Sequence, residues 1–129
     1  MISDTNSMIE KVLIDEESIN IRTKQLAKTI NEYYADCQGP LIMVGILKGS
    51  VMFMSELAKY VKVDTAMEFM AVSSYEGTTS TGNVKILKDL DTDIKDKSVL
   101  LVEDIIDTGH TLLNLKNNLT KRDPKDIKI

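Results

Sequence analysis

Residues Val99 to Thr111 constrain this chain more than any other stretch. The apolar run Val99-Leu100-Leu101-Val102 leads straight into two adjacent carboxylates, Glu103 and Asp104. Asp107 follows, and Thr108-Gly109-His110-Thr111 then opens a helical pattern that begins at Leu112. A short continuous apolar run bounded by polar turns reads as a strand buried within a sheet. The acids cannot be packing residues, because an unpaired buried carboxylate is costly. They must face solvent, a cation or a ligand. Ligands of open α/β sheets bind beyond the carboxyl ends of the strands, and helix starts attract anions. The pattern therefore describes a place to hold a phosphorylated ligand.

The rest of the chain supplies the sheet around that strand. Val12-Leu13-Ile14 reads as a short strand or extended entry, with Asp15 as an N-cap and Glu16 and Glu17 in a first helical turn. Ile19, Thr23, Leu26, Ala27, Ile30 and Tyr34 repeat at helical spacing, which predicts an amphipathic helix over 16–35. Gly39-Pro40 breaks it. The wholly apolar Leu41–Leu47 suits a strand covered on both faces. Lys48-Gly49-Ser50 ends that strand, and Phe53, Leu57, Ala58 and Val61 mark a following helix. Ala66–Ser73 is a further strand, with Met67, Phe69 and Ala71 alternating against Glu68 and Met70. A run of small polar residues extends to Gly82, and Val84, Ile86 and Leu87 lead away from it as another strand. Leu112, Leu115, Lys116 and Leu119 form one stripe of a helix ended by Asp123-Pro124, and Ile127–Ile129 opens one more strand. Strand–helix alternation with short turns predicts an α/β protein with a mainly parallel twisted sheet flanked by helices.

Length and charge narrow the function. A chain of 129 residues has room for one domain, 1–129, with a modest core. A formal net charge of −4 argues against nucleic acid as the main partner. One cysteine, Cys37, cannot form an internal disulfide, and no apolar run approaches the roughly 20 residues that span a bilayer. With an N-terminus unlike a signal peptide, these features predict a cytoplasmic protein with no membrane association. Cys37 reads as inert, Met52 and Met54 as core filling, and the charged residues of 85–97 as a solvated face.

The acid loop carries the chemistry. Adjacent Glu103 and Asp104 point to opposite sides of an extended strand end. One can meet a ligand directly while the other acts through water or Mg²⁺, a hard cation that keeps several waters. Asp107 can reach a different part of the ligand. Thr108, Gly109 and Thr111 offer hydroxyls and unobstructed amides for a phosphate nest. The plain structural alternative is a solvated turn with Asp107 as helix N-cap.

Val-Leu-Leu-Val-Glu-Asp-Ile-Ile-Asp-Thr-Gly-His-Thr resembles the phosphoribosyl pyrophosphate (PRPP) binding motif of the type I phosphoribosyltransferases, and its Ile-Ile-Asp-Thr-Gly form is most similar to the hypoxanthine-guanine branch, bacterial type. Leu47-Lys48-Gly49-Ser50 resembles the pyrophosphate loop of that family. Ser73-Ser74-Tyr75 through Gly82 resembles its mobile catalytic loop, and Ile86-Leu87-Lys88-Asp89-Leu90-Asp91 continues in the bacterial style. Three motifs in the family's order cover nearly the whole chain.

The resemblance implies the type I phosphoribosyltransferase fold and Mg²⁺-dependent transfer of phosphoribose from PRPP to a 6-oxopurine, hypoxanthine or guanine, with pyrophosphate released. Asp107 would be the catalytic acid/base at N7 of the purine. Glu103 and Asp104 would hold the ribose hydroxyls, directly or through the metal. Thr108, Gly109, His110 and Thr111 would cradle the 5′-phosphate, while Lys48 and Gly49 meet pyrophosphate, with a cis bond between Leu47 and Lys48. Displacing pyrophosphate builds positive charge on a sugar that water must not reach, and Ser74 and Tyr75 would help close the loop over it. His110 reads as a neighbour of the phosphate, because Asp107 is better placed for proton transfer. Homodimers or homotetramers are implied.

The family's purine-gripping segments follow the helix after the acid loop, so the resemblance places them, and the C-terminal strands, beyond Ile129. An apolar edge beside the Val99 strand would then be exposed. Three rival readings are a PRPP-binding regulator without catalysis, a transferase for another base, and a chain that binds PRPP without turnover. The acidic composition weighs against a regulator that contacts nucleic acid, and Asp107 weighs against bases that lack a purine N7.

Overall fold

The computed structural model describes residues 8–74 and 84–129. The chain runs through α1 (Glu16–Tyr33), β1 (Leu41–Leu47), α2 (Val51–Ala58), β2 (Thr65–Ser74), β3 (Val84–Lys88), β4 (Ser98–Val102), α3 (His110–Thr120) and β5 (Asp126–Lys128). Among the described residues the strands form one sheet in the order β3-β2-β1-β4-β5. β1 pairs in parallel with β2 and β4, and β4 pairs in parallel with β5; β2 and β3 are antiparallel. The mainly parallel α/β architecture is the one that the strand–helix alternation predicts.

Helices cover both faces. Ile42, Val44 and Ile46 of β1 join Val99 and Leu101 of β4 in a cluster sealed by Leu112, Leu115 and Leu119 of α3. Leu41, Met43, Leu100 and Val102 face the other way, onto Ala27 and Tyr34 of the α1 region and Met54 and Leu57 of α2. Two covered faces explain why Leu41–Leu47 and Val99–Val102 are apolar at every position rather than at alternate ones. Of the predicted stripe of α3, Leu112, Leu115 and Leu119 are buried and Lys116 is half-buried.

α1 begins where the capping signal places it: Asp15 Oδ1 accepts from the Ser18 N–H at 2.8 Å. Hydrogen bonding from the Ser18 side chain, and then from its backbone N–H, holds the Asp15 carboxyl below its ordinary range. The apolar face of this helix starts later than its spacing predicts. Ile19 is 52% exposed, because burial begins one turn on, at Thr23 and Ala27. Val12, Leu13 and Ile14 form no strand; they lie exposed, and the chain bends at Leu13 and Ile14.

Two further expectations are corrected. Met54 is fully buried, but Met52 is 75% exposed, since the short α2 turns only one side to the sheet. In β2 the buried positions are Glu68 and Met70, whereas Met67 is half exposed. Ala66, Met70 and Val72 face the α3 side while Phe69 faces α1 and α2. In a strand flanked on both sides, alternation does not separate core from solvent. The charges of 85–97 are not all merely solvated: Lys88 Nζ donates to the Phe69 carbonyl at 3.1 Å, and Arg122 donates two hydrogen bonds to the Asp89 carboxylate, at 2.8 and 3.0 Å. This fork ties the end of β3 to the end of α3 and holds the Asp89 carboxyl low.

Candidate functional site

The chain leaves β1 toward β2 on one side, and β4 lies on the other side of β1. Such a reversal of strand order opens a crevice at the carboxyl ends of the two neighbouring strands. Because Ile42–Gly45 are in register with Val99–Val102, the loops that follow β1 and β4 emerge side by side.

The first loop is Lys48-Gly49-Ser50. The Leu47–Lys48 peptide bond is cis, as the resemblance implies. Ser50 is fully buried, and its hydroxyl donates back to the Ile46 carbonyl at 2.6 Å. That bond anchors the loop to the strand, while Lys48 and Gly49 stay exposed. The second loop carries the acids. A Cβ on Gly49 would lie 2.9 Å from Asp104 Oδ1 and 3.0 Å from Oδ2. The Asp104 carboxylate thus rests directly against the Gly49 backbone, and the two loops form one surface. Only glycine permits that approach.

Glu103 takes the opposite flank. Its Oε1 accepts from the Asp104 N–H at 3.1 Å, and it lines an apolar groove shared with Ile106. Burial, followed by the neighbouring Asp104 and Asp107, raises the Glu103 carboxyl from 4.5 to about 7. Three carboxylates that repel in this way fit a cation. Among the described residues no three acid, histidine or cysteine side chains converge on a metal position. Among the described residues that leaves one or two carboxylates as donors. That donor set suits Mg²⁺, which takes its remaining oxygens from water and phosphates.

The turn into α3 is shaped for an anion. Gly109 is the N-cap with φ of 75°, a left-handed conformation natural to glycine. Asp107 therefore does not cap α3; its Oδ1 accepts from the adjacent Thr108 N–H at 2.7 Å. Thr108 Oγ1 faces the His110 N–H at 3.4 Å. The N–H groups of Thr111 and Leu112 are left without a protein acceptor among the described residues, and the start of the helix adds its dipole.

The residues singled out from the sequence thus divide. Lys48, Gly49, Glu103, Asp104, Asp107, Thr108, Gly109, His110 and Thr111 gather at one margin of the sheet. The backbone of Ser74 ends β2, paired with Val84. Tyr75 and the loop through Gly82 lie outside the described residues. Periodicity did not single out Ile105 and Ile106, which are exposed between the acids. Two branched apolar side chains inside an acidic loop were the available signal, since a solvated turn has no use for them.

Fold and site together define a class: a doubly covered α/β sheet with an acid-and-amide loop and a glycine-cushioned loop meeting at its switch point. The chain belongs to the phosphoribosyl transferase domain family, whose model matches residues 13–129. It is 48% identical over 122 residues to a hypoxanthine-guanine phosphoribosyltransferase of Streptococcus mutans, covering 94% of this chain and 67% of that protein. It is 46% identical over 120 residues to a hypoxanthine phosphoribosyltransferase of Escherichia coli, covering 92% and 67%. A solved hypoxanthine phosphoribosyltransferase of Staphylococcus aureus superposes with a TM-score of 0.88 at 41% identity, over 100% of this chain and 70% of that one. The chain spans about two thirds of the length of these relatives.

Proposed function

We propose that this chain acts in purine salvage, transferring the phosphoribosyl group of PRPP to hypoxanthine or guanine with release of pyrophosphate. The observation that carries the reading is the contact between the Asp104 carboxylate and Gly49, which joins the acid loop to the loop after β1. A ligand that spans both must carry a polar ring between two anionic ends, and PRPP has that form.

In the reaction the bond from C1 of the ribose to pyrophosphate breaks and a bond from C1 to N9 of the purine forms. Asp107 takes up the proton that the purine loses at N7, and its exposed position leaves it free to do so. Glu103 and Asp104 hold the ribose hydroxyls and favour the positive charge that develops on the sugar. The amides and hydroxyls of Thr108 to Thr111 receive the 5′-phosphate at the start of α3. Lys48 and the Gly49 amide face pyrophosphate. Mg²⁺, held by Glu103 and Asp104, would neutralise the leaving group and fix its geometry. Ser74 and Tyr75 belong to the segment that would exclude water. Ile105 and Ile106 offer apolar surface beside Asp107, suited to the face of a flat base. The acidic composition and single cysteine support a cytosolic setting.

Turnover of hypoxanthine and guanine with PRPP and Mg²⁺, measured for the parent and for Asp107→Asn, tests the reading. The variant is expected to lose about 10²- to 10⁴-fold in rate, the usual contribution of a positioned acid/base. PRPP affinity, measured by calorimetry, should change little. A variant as active as the parent would remove Asp107 from the mechanism.

A further inference from the structure

Ser50 and Gly45, at the foot of the loop after β1, are residues that their own secondary structure does not explain. Ser50 stands at the N-cap of α2, where a serine hydroxyl ordinarily accepts from an N–H of the first helical turn. Here it makes no capping bond, and its backbone is already helical, with φ of −75° and ψ of −8°. The hydroxyl turns back instead and donates to the carbonyl of Ile46 in β1. Gly45 lies inside β1, where glycine weakens a strand and marks a close approach by another group. Its φ is not positive, so backbone freedom is not the reason for it.

Both oddities have one cause. A Cβ on Gly45 would lie 2.9 Å and 3.0 Å from Cε1 and Cδ1 of Phe69, and 3.2 Å from Ser50 Oγ. The Phe69 ring, reaching over from β2, therefore rests on the bare Gly45 backbone with the Ser50 hydroxyl beside it. Gly45 is in register with Phe69 on one side and with Val102 on the other. Next to Ser50 is Gly49, against which the Asp104 carboxylate rests. A packed line thus crosses the sheet, from Phe69 of β2 through Gly45 and Ser50 to Gly49 and the acid loop after β4.

We propose that Ser50 is a positioning residue for the pyrophosphate end of the ligand and that Gly45 makes the space it needs; this inference rests on the transferase reading above. Ser50 is fully buried, so it acts through Lys48 and Gly49, which are exposed. Without the hydroxyl bond at 2.6 Å, the loop is held by longer ones: the Ser50 N–H to Ile46 at 3.3 Å and the Val51 N–H to Lys48 at 3.2 Å. A looser loop must be ordered as the ligand arrives, and that lowers affinity. The start of α3, where the 5′-phosphate binds, shares none of these contacts. The loss is therefore confined to ligands that carry pyrophosphate.

Calorimetry in Mg²⁺ tests this by comparing PRPP with ribose 5-phosphate, which has the sugar and the 5′-phosphate but no pyrophosphate. Ser50→Ala should fold, because the Ile46 carbonyl still accepts from the residue 50 N–H. It is expected to bind PRPP about 10-fold more weakly, the size of one lost hydrogen bond, and ribose 5-phosphate within about 2-fold of the parent. In the free variant, amide exchange at residues 50 and 51 should be faster. Gly45→Ala should give the same split, and the double variant should lose little more than the worse single one, since both act on one contact. PRPP affinity unchanged in Ser50→Ala, an equal loss for both ligands, or unaltered amide exchange would each overturn this inference alone. A parent chain that binds neither ligand would overturn the transferase reading and this inference with it.

Discussion

Gly49→Ala isolates the contact that unites the two loops. Contact of ordinary length begins near 3.4 Å, whereas the added methyl would stand 2.9 Å from Asp104 Oδ1, so the carboxylate must give way by 3.4 − 2.9, or about 0.5 Å. Both residues are exposed, and Gly49 does not need a left-handed backbone, so the fold has little to lose. Alanine at a compatible glycine position is neutral to stabilising, by about 0.4–1 kcal/mol. Ligand binding should behave in the opposite way. A charge-assisted hydrogen bond displaced by half an ångström forfeits much of about 1.5–3 kcal/mol, roughly a 10- to 100-fold loss of affinity. Calorimetric titration with PRPP in Mg²⁺ reads the affinity, and a thermal melt of the same sample reads the fold. In an Asp104→Ala background the loss should vanish, because nothing remains for the methyl to displace. Undiminished PRPP affinity in Gly49→Ala, or an equal loss in both backgrounds, would refute the argument that Asp104 is positioned by the space above Gly49.

Two further outcomes follow from burial and charge. The Glu103 carboxyl is raised from 4.5 to about 7, so between those values the folded protein keeps a proton that the unfolded chain has released. Stability should therefore fall as pH rises through that window in metal-free buffer. Glu103→Gln should match the parent near pH 4 and exceed it progressively toward pH 8 in thermal melts, the difference coming from a titration the variant lacks. A difference that stays constant with pH would contradict the assignment. Leu119 is fully buried between α3 and the sheet. Leu119→Ala should cost about 2–5 kcal/mol in denaturant unfolding, and a cost under about 1 kcal/mol would mean that α3 is not packed as described.

The chain order of elements, the capped start of α1, the apolar stripe of α3 and the two-sided burial of β1 and β4 could all be read from residue pattern. Each rests on local chemistry: an Asp that can accept from an N–H three residues on, or an apolar run too continuous for a one-sided strand. Ile19, Met52 and Met67 show where such reading fails. Their exposure depends on how far a neighbouring helix reaches, and no periodicity encodes that distance. Asp107 illustrates the same limit, since its candidacy as a helix cap fell only when the left-handed Gly109 took that position.

By itself the sequence determined which chemical groups stand at the ends of β1 and β4, because strand, acids, glycines and hydroxyls are contiguous there. It also determined that those acids must remain outside the core. Tertiary structure alone decided that Gly49 and Asp104 touch and that burial lifts Glu103. The physical reason is the same in both cases: each depends on packing between segments far apart in the chain, and only strand register and helix placement set that separation in space.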